Sequence, residues 1–212
     1  MEQAKRGIYA EHVYKSFGRE EVLKDVNLTV PPGKIVGLVG NNGSGKTVFM
    51  KCICGFLRPD KGEITVSGDR IGKDRDFPKS IGIIIETPGF LPHVSGYKNL
   101  KILAALKGKI GKREILNVLD SVGLSAGMHK AVKKYSLGMR QRLGIAQAIM
   151  EDPEVLILDE PFNGLDKSTV GEMRQLLLGL KGRGKAILLA SHNAADIAEL
   201  CDEVLEMEVQ KK

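Results

Sequence analysis

The chain is poor in cysteine, in long apolar runs and in blocks of like charge, and each scarcity removes a class of protein. Three cysteines cannot make a fully paired disulfide framework, so Cys52, Cys54 and Cys201 are expected as free thiols in apolar helices. No stretch approaches the ~20 apolar residues that a membrane helix needs. The N-terminal segment MEQAKRGIYAEHVYK has no apolar region of the kind a secretion signal requires, and a cytoplasmic location is expected. The 32 Lys and Arg exceed the 26 Asp and Glu, but they are scattered. The one clear basic cluster, Lys130 to Lys134 with Arg140 and Arg142, lies close to a motif treated below. No nucleic-acid partner is expected.

The most informative stretch is Gly40 to Thr47, GNNGSGKT, which fits the phosphate-loop pattern G-x-x-x-x-G-K-[ST]. The apolar run 35–39 precedes it and reads as a buried strand, while 48–54 follows as a helix. Glycine lets successive backbone N–H groups turn toward one anion. The helix start adds partial positive charge. Lys46 is expected on the β- and γ-phosphates and the Thr47 hydroxyl on Mg²⁺.

Around this loop the chain reads as α/β. Candidate strands cover 7–10, 26–30, 62–68, 81–85, 155–157, 186–190 and 204–209, with turns at 18–21 and 31–33. The run 81–85 is expected as a buried parallel strand. Apolar residues recur at helical spacing over 95–106, 113–122 and 138–150, so 95–145 reads as a helical insertion. Further helices are expected over 168–181 and 193–201. The segment Thr87 to Pro92 is too rich in proline and glycine for regular structure. Its Phe90 and Leu91 either meet a partner or pack beneath the helices.

Other chemical residues fall where an α/β sheet places ligands, beyond the carboxyl ends of its strands. The run 155–158 ends in Asp159 and Glu160. Adjacent acids point different ways, so Asp159 suits the metal and Glu160 an attacking water. His192 follows the strand at 186–190 and is either structural or a hydrogen-bond partner of the γ-phosphate. Ser136 suits a helix N-cap, and a helix start with a hydroxyl also makes an anion site. Two phosphate-type sites for one nucleotide suggest two chains facing each other.

Taken together, these segments resemble the ATP-binding subunit of an ABC transporter over nearly the whole chain. GNNGSGKT resembles the Walker A loop, and VLILDE the Walker B strand with its catalytic glutamate, Glu160. YSLGMRQRLGIAQAI stands in place of the signature helix, FNGLD in place of the D-loop, and Ser191-His192-Asn193 in place of the switch histidine. The resemblance implies a RecA-like core of about 1–86 and 146–212, an antiparallel β subdomain, and a helical subdomain of about 87–145. It implies that Asn41, Asn42, Gly43, Ser44, Gly45, Lys46, Thr47 and Val48 bind ATP, with Phe17 either against the adenine or in the core. Thr47, Asp159 and Glu86 would hold Mg²⁺, and Lys46, Glu160 and His192 would serve catalysis. Two cassettes would close head to tail, Ser136 and Gly138 of one completing the site of the other.

The sequence departs from the family pattern at Leu137, where glycine is usual, at Met139, where glutamine is usual, and at Glu86, where the Q-loop glutamine is usual. IETPGFLP together with YSLGMRQRLGIA resembles the bacitracin-resistance and lantibiotic-immunity subgroup. The implied function is ATP hydrolysis powering a separate membrane subunit from the inner face of the membrane, exporting a peptide or antibiotic-like compound. The alternatives are an ABC ATPase that moves no solute, a nucleotide kinase, and a nucleotide-binding interaction module. Tandem cassettes would mark a translation factor, and one cassette is present. A kinase acceptor pocket would not account for the signature helix or the D-loop. A mere binding module would not require Lys46, Glu160 and His192 together.

Overall fold

The computed structural model describes residues 6–209. Two sheets carry the fold. Strands β1 (Ile8–Phe17), β2 (Glu20–Val30), β4 (Lys61–Val66) and β5 (Asp69–Arg70) form an antiparallel sheet in the order β2-β1-β4-β5. Strands β3 (Ile35–Val39), β6 (Ile81–Ile84), β7 (Val155–Asp159), β8 (Ala186–Ala190) and β9 (Glu203–Glu206) form a parallel sheet in the order β6-β7-β8-β3-β9. The helices are α1 (Lys46–Ile53), α2 (Gly96–Lys107), α3 (Lys112–Ser121), α4 (Leu137–Ile149), α5 (Lys167–Gly182) and α6 (Ala194–Leu200).

The central strands are apolar up to their carboxyl ends because both faces of the parallel sheet are covered. Strand pleating sends successive side chains to opposite sides. Val155 and Ile157 of β7, with Ala186, Leu188 and Ala190 of β8, join a core with α1 and the antiparallel sheet. Leu156, Leu158, Ile187 and Leu189 join a second core with α2, α3, α4 and α5. Burying one such leucine contributes about 2 kcal/mol, so each central strand ties two layers together.

The helical segment shares the second core. Leu100 of α2 and Ile115 and Leu119 of α3 are fully or almost fully buried in it. Ser95 caps α2, its hydroxyl accepting from the Lys98 N–H at 3.3 Å, and Gly108 ends the helix at φ +64°. The Thr87 to Pro92 segment is clamped by Asn99: the Leu91 N–H donates to Asn99 Oδ1 at 2.8 Å, and Asn99 Nδ2 donates to the Leu91 carbonyl at 3.2 Å. Phe90 packs against the second core while Leu91 stays exposed. Among the described residues, no helix is long and apolar enough to cross a membrane.

Four elements differ from the sequence expectation. β1 and β2 run far longer than 7–10 and 26–30, joined by the turn at Gly18 and Arg19. Their register shifts on both sides of Val13, and the His12 N–H donates to Asn27 Oδ1 at 2.8 Å instead of to the ladder. β6 is parallel, as expected, but lies at the sheet edge and is buried only at alternate residues, Gly82 and Ile84. The last strand is Glu203–Glu206, not 204–209, and Val209 lies beyond it, half exposed.

Candidate active site

Strand β3 delivers the chain into the glycine loop, and the loop delivers it into α1. Gly45 is the N-cap of α1 at φ +91°, and no side chain caps the helix. No acidic residue occupies the first turn of α1. The first N–H groups of a helix have no partner within it, so this start is open to an anion. Gly40 sits at φ +149°, where an added Cβ would lie 2.3 Å from the Met207 carbonyl oxygen. Only glycine lets the loop cross the segment leaving β9 this closely. The Ser44 N–H closes the loop on the Asn41 carbonyl at 3.1 Å, and Ser44 Oγ is buried without a hydrogen-bond partner.

Lys46 curls its ammonium over the loop. Nζ donates to the carbonyls of Gly40 at 2.6 Å and Asn41 at 3.1 Å. Two of its three donors are thereby used, and the charge is held above the open helix start. The next residue, Thr47, donates from Oγ1 to Asp159 Oδ2 at 3.2 Å. A hydroxyl and a carboxylate oxygen this close form about a third of a six-oxygen hard-cation ligand set. Among the described residues no group of three or more His, Cys, Asp and Glu is placed to hold a metal. Mg²⁺ takes one or two carboxylates and draws its other ligands from water and substrate phosphate, and the Thr47–Asp159 pair fits such a set.

Asp159 and Glu160 leave the carboxyl end of β7 in different directions, as expected. Burial pushes the Asp159 carboxyl up, opposed by the Thr47 hydroxyl and the Lys46 charge. Glu160 is in the left-handed region at φ +49°. Its N–H donates to the Ala190 carbonyl of β8 at 2.9 Å, and its own carbonyl accepts from Gln141 Nε2 of α4 at 3.0 Å. These bonds fix the backbone in a conformation that a glutamate adopts only at a cost. Glu160 Oε1 is buried without a hydrogen-bond partner and lies 3.6 Å from His192 Nε2. Burial pushes the Glu160 carboxyl up, with the His192 charge opposing it. A buried carboxylate oxygen that is unsatisfied and aimed at a site is suited to accept a proton. An open cleft of about 690 Å³ adjoins it, lined by Glu160, Asn163, His192 and Arg174 among others.

Glu86 follows β6 at φ +59°. Its backbone N–H faces the Asp159 carboxylate. Its side chain does not: Oε1 accepts from Lys51 Nζ of α1 at 2.7 Å. Phe17, at the end of β1, is 48% exposed, which removes the core role and leaves its ring free, with Lys15 Nζ 5.6 Å from the centroid. Ser136 is the N-cap of α4 and accepts from the Met139 N–H at 3.1 Å. Gly138 lies against the loop after Glu160, where an added Cβ would be 3.0 Å from the Gly164 carbonyl oxygen. The unusual Leu137 rests on that same Gly164, whose own added Cβ would be 2.5 Å from Leu137 Cδ2.

The structure thus brings Lys46, Thr47, Asp159, Glu160 and His192 to one end of the parallel sheet. Sequence reasoning missed Lys51 as the partner of Glu86 and Gln141 as the support of Glu160. Both are ordinary helix residues with no local signal of their role.

A family model described as ABC transporter matches residues 23–163. The chain belongs to the ABC transporter family. It is 44% identical to the uncharacterized ABC transporter ATP-binding protein YybJ of Bacillus subtilis, over 91% of this chain and 88% of that protein. It is 42% identical to the bacitracin transport ATP-binding protein BcrA of Enterococcus faecalis, over 93% of this chain and 65% of that one. The lantibiotic transport ATP-binding protein SrtF of Streptococcus pyogenes is 38% identical over 91% of this chain and 82% of its own length. Among solved structures, an ATP-binding subunit of an ABC transporter superposes with a TM-score of 0.87 at 26% identity, covering 96% of this chain and 88% of that one. A dimeric bacterial ABC transporter cassette matches in fold, with a TM-score of 0.85 at 22% identity, covering 95% of this chain and 94% of that one. Both the RecA-like cassette architecture and ATPase activity in transport are those expected from the sequence.

Proposed function

We propose that this ABC ATPase binds Mg²⁺-ATP on the Gly40–Val48 loop and hydrolyses it to power a separate membrane subunit that exports a peptide or antibiotic-like compound. The observation that carries the catalytic part is the convergence of Thr47 and Asp159 at 3.2 Å with the unpartnered Glu160 Oε1, 3.6 Å from His192 Nε2, at one end of the sheet. The exported class rests on the bacitracin and lantibiotic relatives.

Each residue then has a physical task. Lys46 and the start of α1 neutralise the β- and γ-phosphates. Thr47 and Asp159 would hold Mg²⁺, which would withdraw charge from the phosphate oxygens. Glu86, released from Lys51, would supply a further ligand. Glu160 accepts a proton from the attacking water as the water oxygen bonds to the γ-phosphorus and the bond to the bridging oxygen breaks. His192 hydrogen-bonds the γ-phosphoryl group. Phe17 stacks on the adenine. Ser136 and Gly138, at the start of α4, serve the nucleotide of a facing cassette in a head-to-tail homodimer or paired cassette. The chain acts as one cassette, with a core of about 1–86 and 146–212 and a helical part of about 87–145, at the inner face of the membrane.

Glu160→Gln keeps a hydrogen-bonding side chain and removes the base, so it should bind Mg²⁺-ATP without turnover and accumulate as a dimer. Gel filtration with and without nucleotide tests this, and a monomer at saturating ATP would count against the composite site. Co-purification with a multi-span membrane protein separates the transporter reading from an ABC ATPase that moves no solute.

A further inference from the structure

His192 is held only loosely by its own side chain. The ring is 54% exposed on one side and meets Glu160 at 3.6 Å on the other. Its neighbours are fixed far more firmly. Ser191 is buried, and its Oγ accepts from the Asn193 N–H at 3.1 Å. The same hydroxyl donates to Asp196 Oδ2 at 2.7 Å. The backbone on both sides of His192 is therefore gathered onto one buried hydroxyl.

Asp196 is 2% exposed, and its two oxygens serve two masters. Oδ2 takes the Ser191 hydroxyl, and Oδ1 takes Arg174 Nε at 3.0 Å and Nη2 at 2.5 Å. Arg174 also contacts Glu199 through Nη1. A buried carboxylate this short of water needs a full positive partner. Arg174 lies in α5, the helix whose N-cap, Asp166, ends the loop that starts at Glu160. Asp196 lies in α6, the helix that starts one residue after Asn193. The network thus joins the two chain segments that leave the site from Glu160 and from His192.

We propose that Arg174, Asp196 and Ser191 form a buried positioning relay that sets the His192 ring against Glu160. All three lie along the cleft beside Glu160 and His192, and each acts through the backbone of 191–193. The inference rests on the reading of His192 as a catalytic residue. Its consequence is a split in kinetics: loss of the relay lowers kcat, while KM for ATP, set by the glycine loop and Phe17, changes little. A displacement near 1 Å at a reacting group costs on the order of 10²-fold in rate, so a loosened ring should cost about tenfold or more.

The test uses Ser191→Ala, Ser191→Thr and His192→Ala in the full chain with its membrane subunit. Asp196→Asn is avoided as the lead variant because it strands Arg174 and threatens folding. Ser191→Ala should lower kcat about tenfold or more with KM within about twofold, and Ser191→Thr should restore most of the loss. In a His192→Ala background, Ser191→Ala should cost nothing further, because its only route to the reaction is gone. The isolated cassette supplies a readout without nucleotide. The chain has four histidines, and Ser191→Ala should shift or broaden the ring signal of His192 in the NMR spectrum and leave His12, His93 and His129 in place. An additive loss in the His192→Ala background, or a His192→Ala loss with no Ser191→Ala loss, would overturn the relay. Unchanged turnover in His192→Ala would overturn the catalytic reading beneath it, a distinct result.

Discussion

Replacing Lys51 by methionine should make ATP binding depend more strongly on Mg²⁺. The Lys51–Glu86 pair is close, at 2.7 Å, but its side chains are 31% and 64% exposed. A pair this open to water contributes about 0.2–1 kcal/mol, a factor of about 1.5 to 5 in an equilibrium constant. That is the energy with which Lys51 holds Glu86 away from Thr47 and Asp159. Lys51→Met keeps the length and the apolar stem on α1 and releases the carboxylate. Freed, Glu86 either ligates the metal or, without metal, adds an uncompensated charge to a site that already holds Asp159, Glu160 and the phosphates. The quantity to measure is the ratio of the ATP dissociation constants in EDTA and in Mg²⁺, by titration calorimetry. Lys51→Met should raise this ratio up to about fivefold, and Glu86→Gln should lower it below wild type. The double variant should behave as Glu86→Gln alone. Should Lys51→Met keep its effect when Glu86 is already glutamine, Lys51 acts on the phosphates directly and the reasoning fails. Stability should move by less than about 1 kcal/mol, seen as a Tm change of no more than about 4 °C for a chain of this length.

Burial raises the Glu160 carboxyl above its unfolded value, so this residue favours the folded state when protonated and the advantage is lost as pH rises through its folded pKa; Glu160→Gln should therefore raise Tm at pH 7 relative to wild type, with the gap closing as pH falls toward about 4, and a gap that does not depend on pH would refute the burial argument. Gly82→Ala would place a Cβ 1.9 Å from the Ala148 carbonyl oxygen, forcing α4 off β6; thermal unfolding should report a loss of about 1–3 kcal/mol, and an unperturbed Tm would show that this packing is soft. Phe17→Ala should weaken ATP binding about tenfold through lost base stacking, while inorganic triphosphate, which has no base, should bind as before in a competition assay.

Where a residue's place followed from local pattern, it was legible in advance. GNNGSGKT after an apolar run fixes a glycine turn and a helix start in one stretch, and the places of Lys46 and Thr47 need nothing else. The central strands were equally plain, because a five-residue apolar run such as Ala186–Ala190 has no other use in a small α/β chain. The long hairpin of β1 and β2 was not legible. Its irregular register around Val13 is carried by His12 and Asp25, both at positive φ, with His12 Nδ1 and Asp25 Oδ1 2.7 Å apart. Neither glycine nor proline marks the place. The edge position of β6 was hidden for another reason: Ile81 to Ile85 is as apolar as a central strand, and only the packing of α4 over Gly82 shows that one face is better covered than the other.

The backbone of the deepest part of the site escaped sequence reasoning because it adopts conformations that sequence disfavours. Glu86 and Glu160 both sit in the left-handed region, at φ +59° and +49°, where a glutamate has no intrinsic reason to be. Each stands one or two residues past a parallel strand, and each is turned there by bonds from elsewhere in the chain: Glu160 by Ala190 and Gln141, Glu86 by Lys51 and Asp159. The turn is what separates backbone from side chain at these positions. It lets the Glu86 N–H serve Asp159 while its carboxylate reaches α1, and it lets Asp159 and Glu160, adjacent in sequence, face Thr47 and His192 respectively. Two strained glutamates are sustained only where the surrounding fold over-determines them. In this chain the surroundings are α1, α4 and the ends of β7 and β8, four elements that come from distant parts of the sequence. The strain is therefore a product of the assembled sheet, and the bonds that sustain it could not be read from any one segment.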